Sequence, residues 1–205
     1  ISYAEGQRIM EDRANARARG EAPDTLFLLE HDPVLTLGRR ADKANIIASA
    51  ERLAAQGIEV VETGRGGDVT YHGPGQVVGY PVIDLKPDRK DVRRYVHDLE
   101  EVMMRTCEDF GISGAGRVEG LIGTWIEGQR KIGAIGVRIS RWVTSHGFAF
   151  NVNSDLTAFD LIVPCGISDR GVTSVARETT EAPETSAAVE SLTKRFLQVF
   201  DCRPI

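Results

Sequence analysis

Cys165 has the most chemical promise of any side chain in this sequence. It sits between Pro164 and Gly166, after the apolar run Leu161-Ile162-Val163. A rigid residue on one side and a permissive one on the other would present the sulfur in a fixed direction. Position alone allows two readings, a nucleophile or a half-buried loop thiol. A nucleophilic cysteine needs a base or a cation, because a free thiol of pKa about 8.5 is mostly protonated at neutral pH. Three residues could supply that. His72 lies in a glycine-rich stretch and His146 in a strand pattern, and Lys131 opens the run Ile132-Gly133-Ala134-Ile135-Gly136. A lysine acts as a base only where apolar surroundings lower its pKa from about 10.4. Otherwise Lys131 is a surface charge after a turn, and His146 a structural strand histidine.

A second source of chemistry is the stretch Arg65-Gly66-Gly67-Asp68-Val69-Thr70-Tyr71-His72-Gly73-Pro74-Gly75-Gln76. It holds more glycine than a plain turn needs, and it keeps Arg, Asp, Tyr and His. That combination reads as a ligand cradle, with a wide solvated hairpin loop as the alternative. It is not a P-loop, because no Gly-Lys-Ser/Thr follows. It is not a dinucleotide fingerprint, because Val77–Ile83 reads as a strand and not a helix.

The elements that must position these residues follow from periodicity. Helices are expected at Ser2–Arg19, Ile46–Gln56, Asp91–Phe110 and Ala187–Phe200. Strands are expected at Leu26–Glu30, Val34–Gly38, Ile58–Val61, Val77–Asp84, Leu121–Ile126, Ile132–Ile139 and Trp142–Val152. On this reading the glycine-rich stretch is one loop bridging two strands. Cys107, Met103 and Met104 belong to the core of the third helix, and His97 to its exposed or half-buried side. Glycines inside Lys131–Gly136 and at Gly147 suggest close packing on the strand backbone.

The chain has 205 residues, 41% of them hydrophobic, and a formal net charge of -5. That size fits one domain, 1–205. The acidic balance argues against a general nucleic-acid binder. No apolar run approaches the ~20 residues of a membrane helix. The sequence starts at Ile1 without a methionine, so the numbering is expected to begin inside a longer natural sequence, and with no charged-then-apolar leader no secretion signal is expected. Three widely spaced cysteines (Cys107, Cys165, Cys202) and four histidines form neither a disulfide framework nor a metal site, and a reducing cytoplasm is expected. Cys202 reads as an unremarkable thiol.

Five blocks in order carry a family resemblance: HDPVLTLGRR (His31–Arg40), RGGDVTYHGPGQ (Arg65–Gln76), KIGAIGVR (Lys131–Arg138), HGFAFNVN (His146–Asn153) and PCGI (Pro164–Ile167). Together they resemble the lipoyl(octanoyl) transferase family, the octanoyl-[acyl-carrier-protein]:protein N-octanoyltransferases. The resemblance implies an α+β fold, a mixed sheet with flanking helices shared with lipoate and biotin protein ligases. It implies an acyltransferase of lipoate biosynthesis with no cofactor, no nucleic-acid partner and no membrane partner, and a monomer. The donor would be octanoyl-acyl carrier protein. The acceptors would be lysines of lipoyl domains in 2-oxoacid dehydrogenase complexes and of the glycine cleavage H protein. Cys165 would carry the acyl group as a thioester, and Lys131 would lower its pKa. Arg65, Gly66, Gly67, Asp68, Val69, Thr70, Tyr71, His72, Ala134, Ile135, Gly136, Gly147, Phe148 and Ala149 would line the acyl pocket.

Physical chemistry agrees with that assignment. An eight-carbon chain buries roughly 5–6 kcal/mol at ~0.8 per methylene, and each methylene changes binding enough to select length. An acidic carrier would meet Arg39, Arg40, Arg65, Arg130, Arg138 and Arg141. Three other readings compete. An ATP-dependent lipoate or biotin protein ligase on the same fold would need ATP and free acid but no cysteine. A non-catalytic carrier-binding module would not need Cys165 and Lys131. A thioester hydrolase would release acid and make no amide.

Overall fold

The computed structural model describes residues 1–164 and 170–203. Helix α1 spans Tyr3–Ala18, with the Ser2 hydroxyl accepting from the Glu5 N–H. Gly20 takes φ 78° just beyond its end, a left-handed stop that glycine adopts without strain. Strands β1 (Thr25–Leu29), β2 (Val34–Leu37), β3 (Glu59–Glu62), β4 (Val69–His72) and β5 (Gln76–Val82) fill the first half of the chain. Helix α2 (Ala50–Ala55) lies between β2 and β3. Helix α3 (Val92–Asp109) follows. Then come β6 (Ala115–Val118), β7 (Leu121–Ile126), β8 (Arg130–Ser140), β9 (Val143–Asn151), the short β10 (Gly171–Val172), and helices α4 (Val175–Glu178) and α5 (Thr185–Phe200).

The large sheet runs in the order β1-β5-β9-β8-β7-β6, antiparallel throughout. β10 pairs parallel with the start of β8, Val172 opposite Lys131. A second sheet, β3-β2-β4, combines one parallel and one antiparallel pair. The fold is therefore α+β with mixed sheets. Helices α3 and α5 cover one face of the large sheet, where Leu99, Met103, Leu192 and Phe196 meet Phe148, Phe150 and Ile132. Helix α1 covers part of the other face through Met10, against Val78, Tyr80 and Ala149. The second sheet has its own core of Leu35, Val69, Tyr71, Phe159 and Leu161. No helix among the described residues is long and apolar enough to cross a membrane.

Several expectations need correction. The glycine-rich stretch is not one loop: Val69–His72 forms β4, paired with β2. The β-branched and aromatic content of Val-Thr-Tyr-His favours a strand despite the glycines on either side. Helix α2 starts at Ala50 and not Ile46, because Ser49 caps it through the Arg52 N–H. The segment before it is tied down elsewhere, with the Ile47 and Ala48 N–H groups donating to Leu161 O. Strand β6 was not expected. Cys107 and Met103 are buried as expected, Met104 is half-buried, and His97 is exposed.

Gly147 shows how tightly β5 and β9 approach. A Cβ there would overlap Gly79 O and come within 2.5 Å of Pro81 Cδ. Gly147→Ala should therefore cost about 1–3 kcal/mol, since overpacking against backbone cannot relax through a rotamer. Denaturant unfolding of the variant checks this, and an unchanged midpoint would refute the clash.

Candidate active site

Two cross-strand pairs pave a trough on the α1 side of the large sheet. Ala134 faces Ala149, and two residues along, Gly136 faces Gly147. Residues i and i+2 of a strand share a face, so four small residues leave a shallow furrow. The Arg65–Gly67 segment roofs it. The Gly66 N–H donates to Val137 O at 2.9 Å, and a Cβ on Gly136 would lie 3.0 Å from Gly66 O and Arg65 Cδ. The resulting slot is narrow, about 50 Å³, and its walls include Arg65, Gly67, Asp68, Thr70, His72, Ala134, Ile135, Gly136, Gly147, Phe148 and Ala149.

Most of the expected pocket residues thus converge. Val69 and Tyr71 do not, because alternation along β4 turns them into the second sheet's core while Thr70 and His72 face the slot. Gly66 contributes the roof hydrogen bond and is not itself a wall. Asp68 also serves as a clamp, accepting from the Asp42 N–H, Asn45 Nδ2 and its neighbour Val69 N–H. The sequence reading missed Tyr3, Val78 and Tyr80 and did not place His146 in the wall. Alternation along β5 could have found Val78 and Tyr80. Nothing local to Tyr3 points there.

Arg65 is buried, 7% exposed. Its Nη2 donates to Thr36 O at 2.6 Å and Thr36 Oγ1 at 2.8 Å, and its Nη1 to Gly66 O at 3.0 Å. These bonds tether the roof to β2. Burial, reinforced by the Arg65 charge, pushes His72 down to about 3. The same causes, with Arg138 added, push His146 down to about 4. Both imidazoles are neutral near pH 7 and far too weakly basic to hold a thiol proton. His72 Nδ1 donates to Gln76 Oε1 at 2.7 Å, and Gln76 Nε2 donates to Asn151 Oδ1 at 2.9 Å. Asn151 Nδ2 reaches Thr173 O, and the Thr173 N–H reaches Lys131 O at 2.9 Å. His72 thus heads a polar chain that ends on the strand bearing Lys131.

Lys131 is 8% exposed, and its Nζ lies 4.6 Å from the Trp125 ring centroid, a cation–π contact. Lys131 and Pro164 line one small cavity that shares Thr70, Ala134 and Ala149 with the slot. Cys165 lies outside the described residues. Pro164 is its sequence neighbour. The arginine set is smaller than expected. Arg65 is buried, and Arg130 is paired with Glu178 at 2.8 Å and Glu127 at 3.0 Å. Arg39, Arg40, Arg138 and Arg141 remain exposed. The Arg39 and Arg40 N–H groups bond Arg65 O and Gly67 O, beside the roof.

A buried lysine next to a main-chain trough, on an α+β frame of two sheets, matches a known kind of catalytic domain. The chain belongs to the lipoyl protein ligase A/B catalytic domain family, whose model matches residues 2–198. A relative from Myxococcus xanthus named "Octanoyltransferase" is 50% identical over 206 residues, spanning 98% of this chain but 57% of that protein. One of the same name from Koribacter versatilis is 50% identical over 204 residues, spanning 98% of this chain and 81% of that protein. The chain thus spans little more than half of the first relative's length. Among solved structures, a lipoate-protein ligase A bound with ATP superposes with TM-score 0.76 at 16% identity, covering 96% of this chain and 83% of that one. That likeness establishes the shared fold.

Proposed function

We propose that this chain transfers an octanoyl group from octanoyl-acyl carrier protein to a lysine of lipoyl domains, through a thioester on Cys165, with residues 1–205 as one catalytic domain working in the cytoplasm. The observation that carries this reading is that the Lys131 cavity and the small-residue trough share Thr70, Ala134 and Ala149 as walls. A straight acyl chain fits a furrow paved by Ala134, Gly136, Gly147 and Ala149. Its reactive end would then lie in the cavity that Lys131 and Pro164 both line.

In this mechanism Lys131 Nζ takes the Cys165 thiol proton. The thiolate attacks the donor thioester carbonyl, the carrier's sulfur leaves, and Lys131 returns the proton to it. The acceptor lysine amine then attacks the Cys165 thioester, an amide forms, and the cysteine sulfur leaves. The amine's surplus proton passes to Lys131. A thioester lies above an amide in free energy, so no ATP is needed. Arg39, Arg40, Arg138 and Arg141 would face an acidic carrier, and loading should slow as salt rises.

Intact mass after mixing with octanoyl-acyl carrier protein tests the reading. The wild-type chain should gain one octanoyl group that hydroxylamine removes, and Cys165→Ser should gain none that hydroxylamine removes. Amide should then appear on a lipoyl domain without ATP. Product that forms only from free octanoate with ATP would favour a ligase, and free octanoate without amide would favour a hydrolase.

A further inference from the structure

His146 sits in the middle of β9 yet has φ 55°. A left-handed backbone inside a strand is costly for any residue but glycine, and such outliers persist where the surroundings enforce them. Here Met10 of α1 takes part, its sulfur accepting the His146 N–H at 2.8 Å. The ring stands edge-on to Tyr80, with centroids 6.3 Å apart at 90°. His146 is 3% exposed.

This residue borders two spaces. On one side is the slot, where it lies beside Gly136, Gly147 and Tyr80. On the other is a polar pocket of about 260 Å³ beneath α1, bounded by Met10, Asn15, Arg138, Ser140 and Ser145. Among the described residues His146 alone lines both. It also stands opposite Val137, six residues along β8 from Lys131. Along β8 and β9 the furrow at Ala134 and Gly136 therefore lies between Lys131, which borders the adjoining cavity, and His146.

We infer that His146 is the end wall that limits acyl length, and that removing its ring joins the slot to the pocket beneath α1 and admits longer straight chains. The inference rests on the acyl-slot reading above. The wall is well suited to the task. Met10 anchors the backbone that carries the ring, and Tyr80 stands edge-on against the ring itself, which resists its displacement by an extra methylene. The space behind it sets Met10, Ala14, Ala18 and Val143 beside the polar groups of Arg138, Ser140 and Ser145, so the end of a longer chain would meet apolar side chains there.

Substitution to glycine suits the test, because glycine takes this backbone angle without strain. The full chain is offered octanoyl-, decanoyl- and dodecanoyl-acyl carrier protein in equal amounts, and the acyl-enzyme is read by intact mass. Wild type should favour octanoyl. His146→Gly should raise the dodecanoyl-to-octanoyl ratio at least about tenfold, the scale on which a pocket discriminates methylenes. His146→Asn, shorter than histidine and tolerant of the same backbone angle, should move the ratio the same way by less. If His146→Gly does not fold, the asparagine variant decides alone. Folded variants that keep the wild-type ratio overturn the end-wall inference while leaving octanoyl transfer intact. A wild-type chain that takes no octanoyl group overturns the transfer reading itself, and the inference with it.

Discussion

Lys131→Ala should slow octanoyl transfer about 10³-fold, within the usual range for losing a positioned proton-transfer group. That corresponds to roughly 4 kcal/mol of barrier. The side chain is buried against Trp125 and borders the cavity that Pro164 also lines. Among the described residues, the two imidazoles of the slot cannot replace it, since His72 and His146 are held down to about 3 and about 4. Lys131→Arg is the informative companion. It keeps the positive charge but cannot give up a proton at any working pH. Both variants should lose the thioester-forming step in single-turnover loading. If arginine restores the rate, Lys131 acts by charge alone and the proton-transfer role is wrong.

Acidification should unfold this protein earlier than its carboxylates would dictate. His72 and His146 have folded values depressed below 6.5, by burial first and by Arg65 second. Between 6.5 and those values the unfolded chain binds more protons than the folded one. The stability contributed by the neutral imidazoles is therefore complete above about 6.5 and falls as pH drops toward 4 and then 3. Each histidine costs about 1.4 kcal/mol per pH unit over that window, so the pair costs several kcal/mol by pH 4. That is a large fraction of a typical domain's stability. Over most of this range carboxylates such as Asp109, held down to about 2 by Arg195, are still charged. Unfolding free energy measured from pH 7 to 4 should show the slope, and His72→Asn should flatten it. Resonances assigned to the His72 or His146 imidazole that titrate near 6.5 in the folded protein would contradict the assignment.

The sequence was most legible where local chemistry and tertiary role agree. Helix α3 could be read from its apolar spacing because that spacing is what packs on the sheet. Gly136 and Gly147 could be read as close-approach positions because a Cβ has nowhere to go at either. Strand β4 was hidden because flanking glycines mask a four-residue pattern whose partner, β2, lies far away in sequence. The start of α2 was misplaced because Ile46 and Ile47 have helical character but are claimed by a bridge to Ile162 and a bond to Leu161. Tyr3 stacks on His72, with centroids 6.3 Å apart, yet β1, β2, α2 and β3 lie between the two in sequence. Arg130 was counted as docking charge because the less exposed of its two ion-pair partners, Glu178, is 48 positions away, although Glu127 lies only three positions before it. In each case the missing information was a long-range neighbour.

The furrow between β8 and β9 is floored by main chain, since its four paving residues contribute at most a methyl group each. Its breadth is therefore dictated by inter-strand hydrogen-bond spacing, a quantity that hardly varies between proteins. Width and depth consequently have different evolutionary fates. The breadth is frozen into the sheet and can be lost but not adjusted, while the depth hangs on a single ring that one codon change can remove.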